Sequence, residues 1–185
     1  MDPTLYEYPS PLEGWENHEP LTNERNEDGK SLKTPSPTTQ SPAYSQFTSP
    51  ITNDIRGGFD VHIYFLQSNP LEVNFAKALH SRIRLEFPEL RIYQVWEKPI
   101  GPHPVGMFEV NLFTPQQFGA FVPWLVINRG PLSALVHPNT GEDERDHTQR
   151  ATWMGIPYPL QTGMLREFRR MKKEAEKKEK ESGNL

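Results

Sequence analysis

One octapeptide constrains the fold more than any other stretch. Phe59-Asp60-Val61-His62-Ile63-Tyr64-Phe65-Leu66 alternates apolar and polar side chains and follows a chain break at Gly57-Gly58. Successive side chains of a strand point to opposite faces. Phe59, Val61, Ile63 and Phe65 therefore share one face, and Asp60, His62 and Tyr64 share the other. Such a strand needs an apolar layer on one side and tolerates polar groups on the other.

The following segments supply that layer. Asn69-Pro70 starts a helix, with Asn as N-cap and Pro at the first helical position. Phe75, Leu79, Ile83 and Phe87 recur every four residues and predict its buried stripe. Pro88 limits it. Leu90 to Trp96 reads as a second strand and Met107 to Phe113 as a third, with a stiff Pro-rich loop carrying His103 between them. In the third strand Phe108, Val110 and Leu112 point one way, and Glu109, Asn111 and Phe113 the other. Thr114-Pro115-Gln116-Gln117 is a capping box that opens a second helix, closed at Asn128-Arg129-Gly130. Pro123 lies inside that helix and predicts a kink or irregular turn. Leu132 to His137 is a fourth strand. The order βαββαβ predicts an α+β, ferredoxin-like antiparallel sheet of order 4-1-3-2, with two helices on one face.

The ends of the chain differ in composition. Hydrophobic residues make up only 35% of the 185, low for a compact domain. Residues 1–57 carry 8 of the 19 prolines. Thr34 to Pro42 cannot bury enough apolar surface to offset its ordering entropy. The reading is a mostly disordered extension over 1–57, in which Tyr6, Tyr8, Trp15, Tyr44 and Phe47 are the side chains able to dock. Residues 58–160 form one domain, and 161–185 a charged helical tail. The formal net charge is −4. The core carries eight basic and ten acidic residues, and the tail eight basic and five acidic. A slightly acidic core is a poor nucleic-acid surface. The tail alternates basic residues with Glu at helical spacing, as a solvated helix does. With no Cys, disulfides and thiolate metal sites are excluded. The N-terminus has no apolar signal region, and no run approaches the roughly 20 apolar residues of a membrane span. The expectation is a cytoplasmic protein without a membrane partner.

The chemistry lies on the polar face. Five of the six histidines fall between residues 62 and 147, and neutral imidazole is a common ligand for iron, copper and zinc. Strand parity places His62 and His137 on the face that also carries Asp60, Tyr64, Glu109 and Asn111. Adjacent prolines brace His103 and His137. A metal held by His62, His103 and His137, with Asp60 or Glu109 as carboxylate partner, is one reading. The other is the wet half of a sheet, or a homodimer interface on an open sheet face. His147, in the charged run Glu142 to Thr148, is the candidate general acid or base. Tyr64 and Asn111 are the candidates for contact with a substrate. Trp124 and Trp153 read as packing residues.

Several ordered motifs carry a resemblance. Gly101-Pro102-His103-Pro104, Phe108-Glu109-Val110, the run from Arg129 to Gly141, Asp146-His147-Thr148 and Trp153-Met154-Gly155 together resemble the DOPA 4,5-dioxygenase family of fungi and bacteria, over about 59–160. The resemblance implies a ferredoxin-like fold and extradiol cleavage of a catechol by O₂ at non-haem Fe(II), with L-DOPA as the best-known substrate. His62, His103 and His137 match the family's histidine positions, and His147 its Asp-His motif. Bacterial relatives often begin the first strand with His-x-His, where this chain has Asp60-Val61-His62. A two-His, one-carboxylate set leaves iron positions open for catecholate and O₂. A three-His set with water is the close alternative and suits zinc. The rival to an enzyme is a silent family member that binds a small aromatic or dimerises.

Overall fold

The structure, a computed structural model, describes residues 6–35, 40–53 and 57–182. The chain divides into two units, Met1–Ser41 and Pro42–Leu185. Among its described residues the first unit shows turns and a short antiparallel bridge between Arg25 and Leu32. The Asp28 carboxylate closes its turn by accepting from the backbone N–H groups of Lys30 and Ser31. Residues 36–39 of the Pro-rich stretch lie outside the described residues.

The second unit holds the sheet. Its strands are β1 (Phe59–Phe65), β2 (Arg91–Ile92), β3 (Gly106–Leu112), β4 (Ser133–Pro138) and β5 (Thr152–Met154). The order is β2-β3-β1-β4-β5 and every pairing is antiparallel. Four of the five positions are those expected from the alternation. The fifth strand, β5, pairs with the outer edge of β4; its three residues are too few to show a period in sequence.

β2 is shorter than the Leu90–Trp96 segment expected. Ile92 pairs with Val110, whereas Trp96 pairs with Met107. Four residues on one strand therefore span three on the other. One residue is extra, and a β-bulge interrupts the ladder.

α1 (Pro70–Glu86) and α2 (Pro115–Asn128) lie between the strands as read from sequence. The Asn69 side chain accepts from the Leu71 N–H, and Glu72 accepts from both Leu66 N–H and the Asn69 amide. Thr114 caps α2 by accepting from the Gln117 N–H, while the Gln117 amide oxygen accepts from Phe113 N–H. α2 is continuous through Pro123. The stripe of α1 is rotated slightly from the one expected. Ala76, Leu79 and Ile83 are its buried residues, and Phe75 is 37% exposed. The reason is Gly130, which closes α2 at φ +56°. A Cβ there would meet the Phe75 ring, so Phe75 covers the helix-end glycine instead of entering the core.

The main core fills the space between the helices and one sheet face. It contains Val61, Ile63, Phe65, Phe108, Val110, Leu112, Ala134 and Val136 from the strands, and Leu79, Ile83, Phe121 and Leu125 from the helices. The other face is not open. Tyr64, Met107 and Leu135 are buried there beneath Trp153, Tyr158 and Leu160. A dimer formed through a bare sheet face therefore has no bare face to use at these positions. The remaining α-helices among the described residues are α3 (Asp143–Asp146) and α4 (Thr162–Ser182), and a 3-10 turn covers Pro42–Tyr44. No helix among them is long and apolar enough to cross a membrane.

Part of the segment read as an extension is built into this unit. Phe47 is buried to 9% exposure and meets Phe59 and Phe118 edge-on, with centroids 5.2 and 6.4 Å apart. The Asn53 side chain bonds both the N–H and the carbonyl of Phe47. Thr52 N–H donates to Asn139 O. Replacing Phe47 by Ala should therefore cost about 3 kcal/mol, the usual range for a buried aromatic. Replacing Trp15, 69% exposed, should cost less than about 0.5 kcal/mol. Urea unfolding of the two variants checks this; equal midpoints would contradict the packing role of Phe47.

Candidate metal centre

The register of β1 assembles the polar face. Asp60 lies opposite Asn111 on β3 and His137 on β4; His62 lies opposite Glu109 and Leu135. His103 arrives from a tight hairpin in which Ile100 and His103 exchange backbone hydrogen bonds. Gly101 at φ +53°, followed by Pro102, suits the central pair of a type II′ turn. His147 is the C-cap of the one-turn helix α3.

Four imidazoles meet at this point. The His62 ring is 4.4 Å from His103, 5.0 Å from His137 and 5.8 Å from His147, centroid to centroid. His137 and His147 are 3.9 Å apart. His62, His103 and His137 are buried at 3%, 6% and 2% exposure, and His147 is partly buried. His80 stands apart, bonded through Nε2 to Tyr93 O.

The outward partners of these rings fix which nitrogen is available. His137 Nδ1 faces Pro138 O at 3.0 Å, and His147 Nδ1 faces Asp143 O at 2.8 Å. A carbonyl can only accept, so each Nδ1 carries a proton and each Nε2 of the neutral ring keeps its lone pair. His103 Nδ1 is 2.7 Å from the Tyr64 hydroxyl, which can accept in the same way. His62 Nε2 lies 2.9 Å from His137 Nε2. With the His137 lone pair facing it, His62 Nε2 must be the donor of that bond. His62 Nδ1 is then deprotonated, buried and without a hydrogen-bond partner, 3.7 Å from a Glu109 carboxylate oxygen. That tautomer is the unfavourable one, because a lone pair faces a carboxylate. A cation taken by the two Nε2 atoms reverses it, and His62 Nδ1–H then points at the Glu109 oxygen. A metal-ligating histidine usually donates its other ring N–H to a carboxylate or carbonyl in this way.

The electrostatics agree with that fit. Burial and the neighbouring imidazoles push His62 well below its usual range. Burial, with His147 and His137 nearby, lowers His103 to about 3. Burial and His137 lower His147 to about 4, and burial lowers His137. The four rings are neutral at pH 7 and so are competent donors. The carboxylates move the other way. Burial and Asp60 raise Glu109 to about 7, and burial raises Asp60. Asn111 holds the two side by side, its amide donating to Asp60 Oδ1 at 2.6 Å and Glu109 Oε1 at 2.8 Å. Neutral imidazoles beside charge-stressed carboxylates form a donor set suited to a divalent cation.

The donor atoms fall into two groups of mutual reach: Asp60, His62 and His137, and His62, His103 and His147. The expected trio of His62, His103 and His137 is thus divided between two groups that share His62. His147, read only as an acid–base group, stands within ligand reach. Tyr64 and Asn111 do not present themselves to a substrate. Tyr64 has no exposed surface, and its ring packs against those of Trp153 and Tyr158, with centroids 5.3 and 5.5 Å away. Asn111 is 5% exposed and its amide is committed to the carboxylates. Trp153 packs as read from sequence, but sequence reasoning missed Tyr158 beside it and the buried Asp146, which bonds Thr140 and Arg150. The adjacency Asp146-His147 was the only sign of the latter.

Comparison with known proteins bears on this arrangement. The profile described as the Dopa 4,5-dioxygenase family matches residues 59–164. An uncharacterized 21.2 kDa protein of Botryotinia fuckeliana is 61% identical over 178 residues, 92% of this chain and 97% of that one. The DOPA 4,5-dioxygenase of Amanita muscaria is 40% identical over 110 residues, 56% of this chain and 47% of the Amanita chain. The crystal structure of a "putative dioxygenase" from Nostoc punctiforme superposes with a TM-score of 0.52 at 36% identity, over 60% of this chain and 92% of that one. The profile match spans the sheet, the histidine cluster and its cover, and the matches together support a dioxygenase-type function. This chain belongs to the Dopa 4,5-dioxygenase family.

Proposed function

We propose that the protein is a non-haem Fe(II) extradiol dioxygenase that opens the ring of L-DOPA or a related catechol with O₂. The observation that carries this reading is the approach of His62 Nε2 to His137 Nε2 at 2.9 Å, with the Asp60 carboxylate within ligand reach of both. Two His and one carboxylate are the set used by non-haem Fe(II) oxygenases, and they leave positions open. All three project from the sheet, where Asp60 pairs directly with His137, so backbone hydrogen bonds fix their spacing. Fe(II) held there would supply Lewis-acid polarisation of a catechol oxygen and orient the two reactants.

The remaining groups serve the proton. His147 is the least buried of the four rings, and Asp143 O locks its Nδ1–H. Its Nε2 can therefore take a catechol proton and return it to the opened ring. His103, fixed by the Tyr64 hydroxyl, is the second candidate. The layer of Trp153, Tyr158 and Leu160 excludes water from behind the site, which strengthens electrostatic interactions within it.

A second ligand set has its own support, because His62, His103 and His147 also lie within reach of one another. Three histidines with a water suit zinc. Metal content after anaerobic Fe(II) loading separates the two sets. In the sheet-borne set, His62→Ala, His137→Ala and Asp60→Ala lose the ion. His147→Ala keeps it and loses about 10²–10⁴-fold in rate. Loss of the ion in His103→Ala and His147→Ala, with retention in His137→Ala, would assign the three-His set instead. If no catechol gives a ring-opened product, the silent-binder reading is preferred.

Acidification gives a second prediction, for the chelator-treated protein. All four imidazoles are lowered in the folded state, so unfolding takes up protons below the ordinary histidine value of 6.5. Their contribution to stability is whole above 6.5 and is lost as pH falls below it, towards about 4 for His147 and about 3 for His103. Glu109, raised to about 7, acts in the opposite sense: its contribution is present below 4.5 and lost as pH rises through 7. Asp60 opposes in the same direction. Four groups against two make the urea midpoint fall between pH 7 and pH 5, and the fall should be smaller in His62→Ala. A midpoint that rises on acidification would contradict the neutral cluster.

A further inference from the structure

α3 is a single turn of four residues, and its N-cap Glu142 makes no side-chain capping bond. A helix this short does not hold itself, since isolated helices below about 12 residues are marginal in water. Yet it carries His147, whose ring must sit against His137. Something other than the helix fixes it.

Asp146 is 2% exposed and its carboxylate is fully engaged. It accepts from Thr140 N–H at 2.9 Å and from the Thr140 hydroxyl at 2.8 Å. It also accepts from Arg150 Nη1 at 2.9 Å. Arg150 reaches the Thr140 hydroxyl as well, and its other nitrogen pairs with Glu142 at 3.0 Å. The carboxylate therefore ties residue 140, just beyond β4 and its His137, to residue 150, just beyond His147. The loop bearing the two rings is closed at both ends by one buried anion. Charge-assisted bonds of this kind are stronger than neutral ones, and a buried carboxylate left without its partners is costly.

We propose that Asp146 is a positioning residue: its carboxylate, clamped between Thr140 and Arg150, holds His147 in the single orientation in which Nδ1–H meets Asp143 O and Nε2 is turned away from that carbonyl. Asp146 touches no substrate and acts only through His147. The kinetic part of the test rests on the dioxygenase reading, and the structural part does not.

The structural arm uses the metal-free full chain, labelled with ¹⁵N, and reads histidine tautomers from long-range ¹H–¹⁵N spectra. In the wild type His147 is the Nδ1–H form. In Asp146→Ala and Thr140→Val it should become a mixture with Nε2–H, while His62 and His103 keep their signals. Thr140→Ser, which retains the hydroxyl, should restore the wild-type signal. In the Fe(II)-loaded enzyme Thr140→Val should lower kcat about 10- to 100-fold, with metal stoichiometry kept and KM nearly unchanged. An unaltered His147 signal in both folded variants overturns the proposal. So does loss of the whole fold in both, which would make the carboxylate a general support instead. If the wild type turns over no catechol, the dioxygenase reading fails while the tautomer result still decides the role of Asp146.

Discussion

The structure depends on β1 being paired on both sides. Seven residues of β1 pair with β3, and six of the same residues pair with β4. One alternating strand therefore fixes two surfaces at once. A slip of one residue would exchange Val61 and Ile63 for Asp60 and His62 in the core. The apolar face, held by α1 and α2, sets the register; the register then sets which polar residues meet. Asp60 reaches His137 and Asn111, and His62 reaches Glu109, because the core side permits no other alignment. The site's geometry is a by-product of packing on the opposite face.

Burial gives these groups their chemistry. Four imidazoles enclosed together cannot share positive charge, so each is held neutral, and neutral rings are ligands and bases. Each has an acceptor or a carboxylate behind it, which turns one nitrogen outward and leaves the other. The carboxylates under Asn111 carry the opposing stress, being close to each other and partly out of water. Two sources of support differ in kind. β1 and β4 hold Asp60, His62 and His137 through backbone pairing. His103 and His147 come from a hairpin and a one-turn helix, and are held by hydrogen bonds to the Tyr64 hydroxyl and to Asp143 O. That division is the physical reason for assigning ligand roles to the first group and proton transfer to the second.

The features legible in sequence were those with a short period or a local cap. The alternation of β1, the Asn69 and Thr114 caps and the glycine after α2 located most of the fold. The shared face of His62 and His137 followed from parity alone. Other features depended on distant partners. The bulge after β2 arises from the mismatch between the Ile92–Val110 and Trp96–Met107 pairings, which no local pattern announces. Phe47 reads as one of five aromatics able to dock, but its partners, Phe59 and Phe118, are remote in sequence and no local pattern names them. Tyr64 was given to substrate because its parity is right, but Trp153 and Tyr158 cover it from a segment with no strong signature. The approach of His147 to His137 likewise depends on how the intervening loop closes, and that is set by Asp146 and Arg150.

The central claim is that this buried imidazole–carboxylate cluster holds one Fe(II) and uses it on a catechol. The most direct measurement is anaerobic reconstitution of the full chain with Fe(II), followed by O₂ uptake in the presence of a panel of catechols that includes L-DOPA. The account predicts one ion bound per chain, with one O₂ consumed per catechol opened. It also predicts a yellow ring-opened product that is absent when His62 is replaced by Ala. Binding of the ion without O₂ uptake on any catechol would contradict it, as would uptake that persists unchanged in the His62→Ala variant.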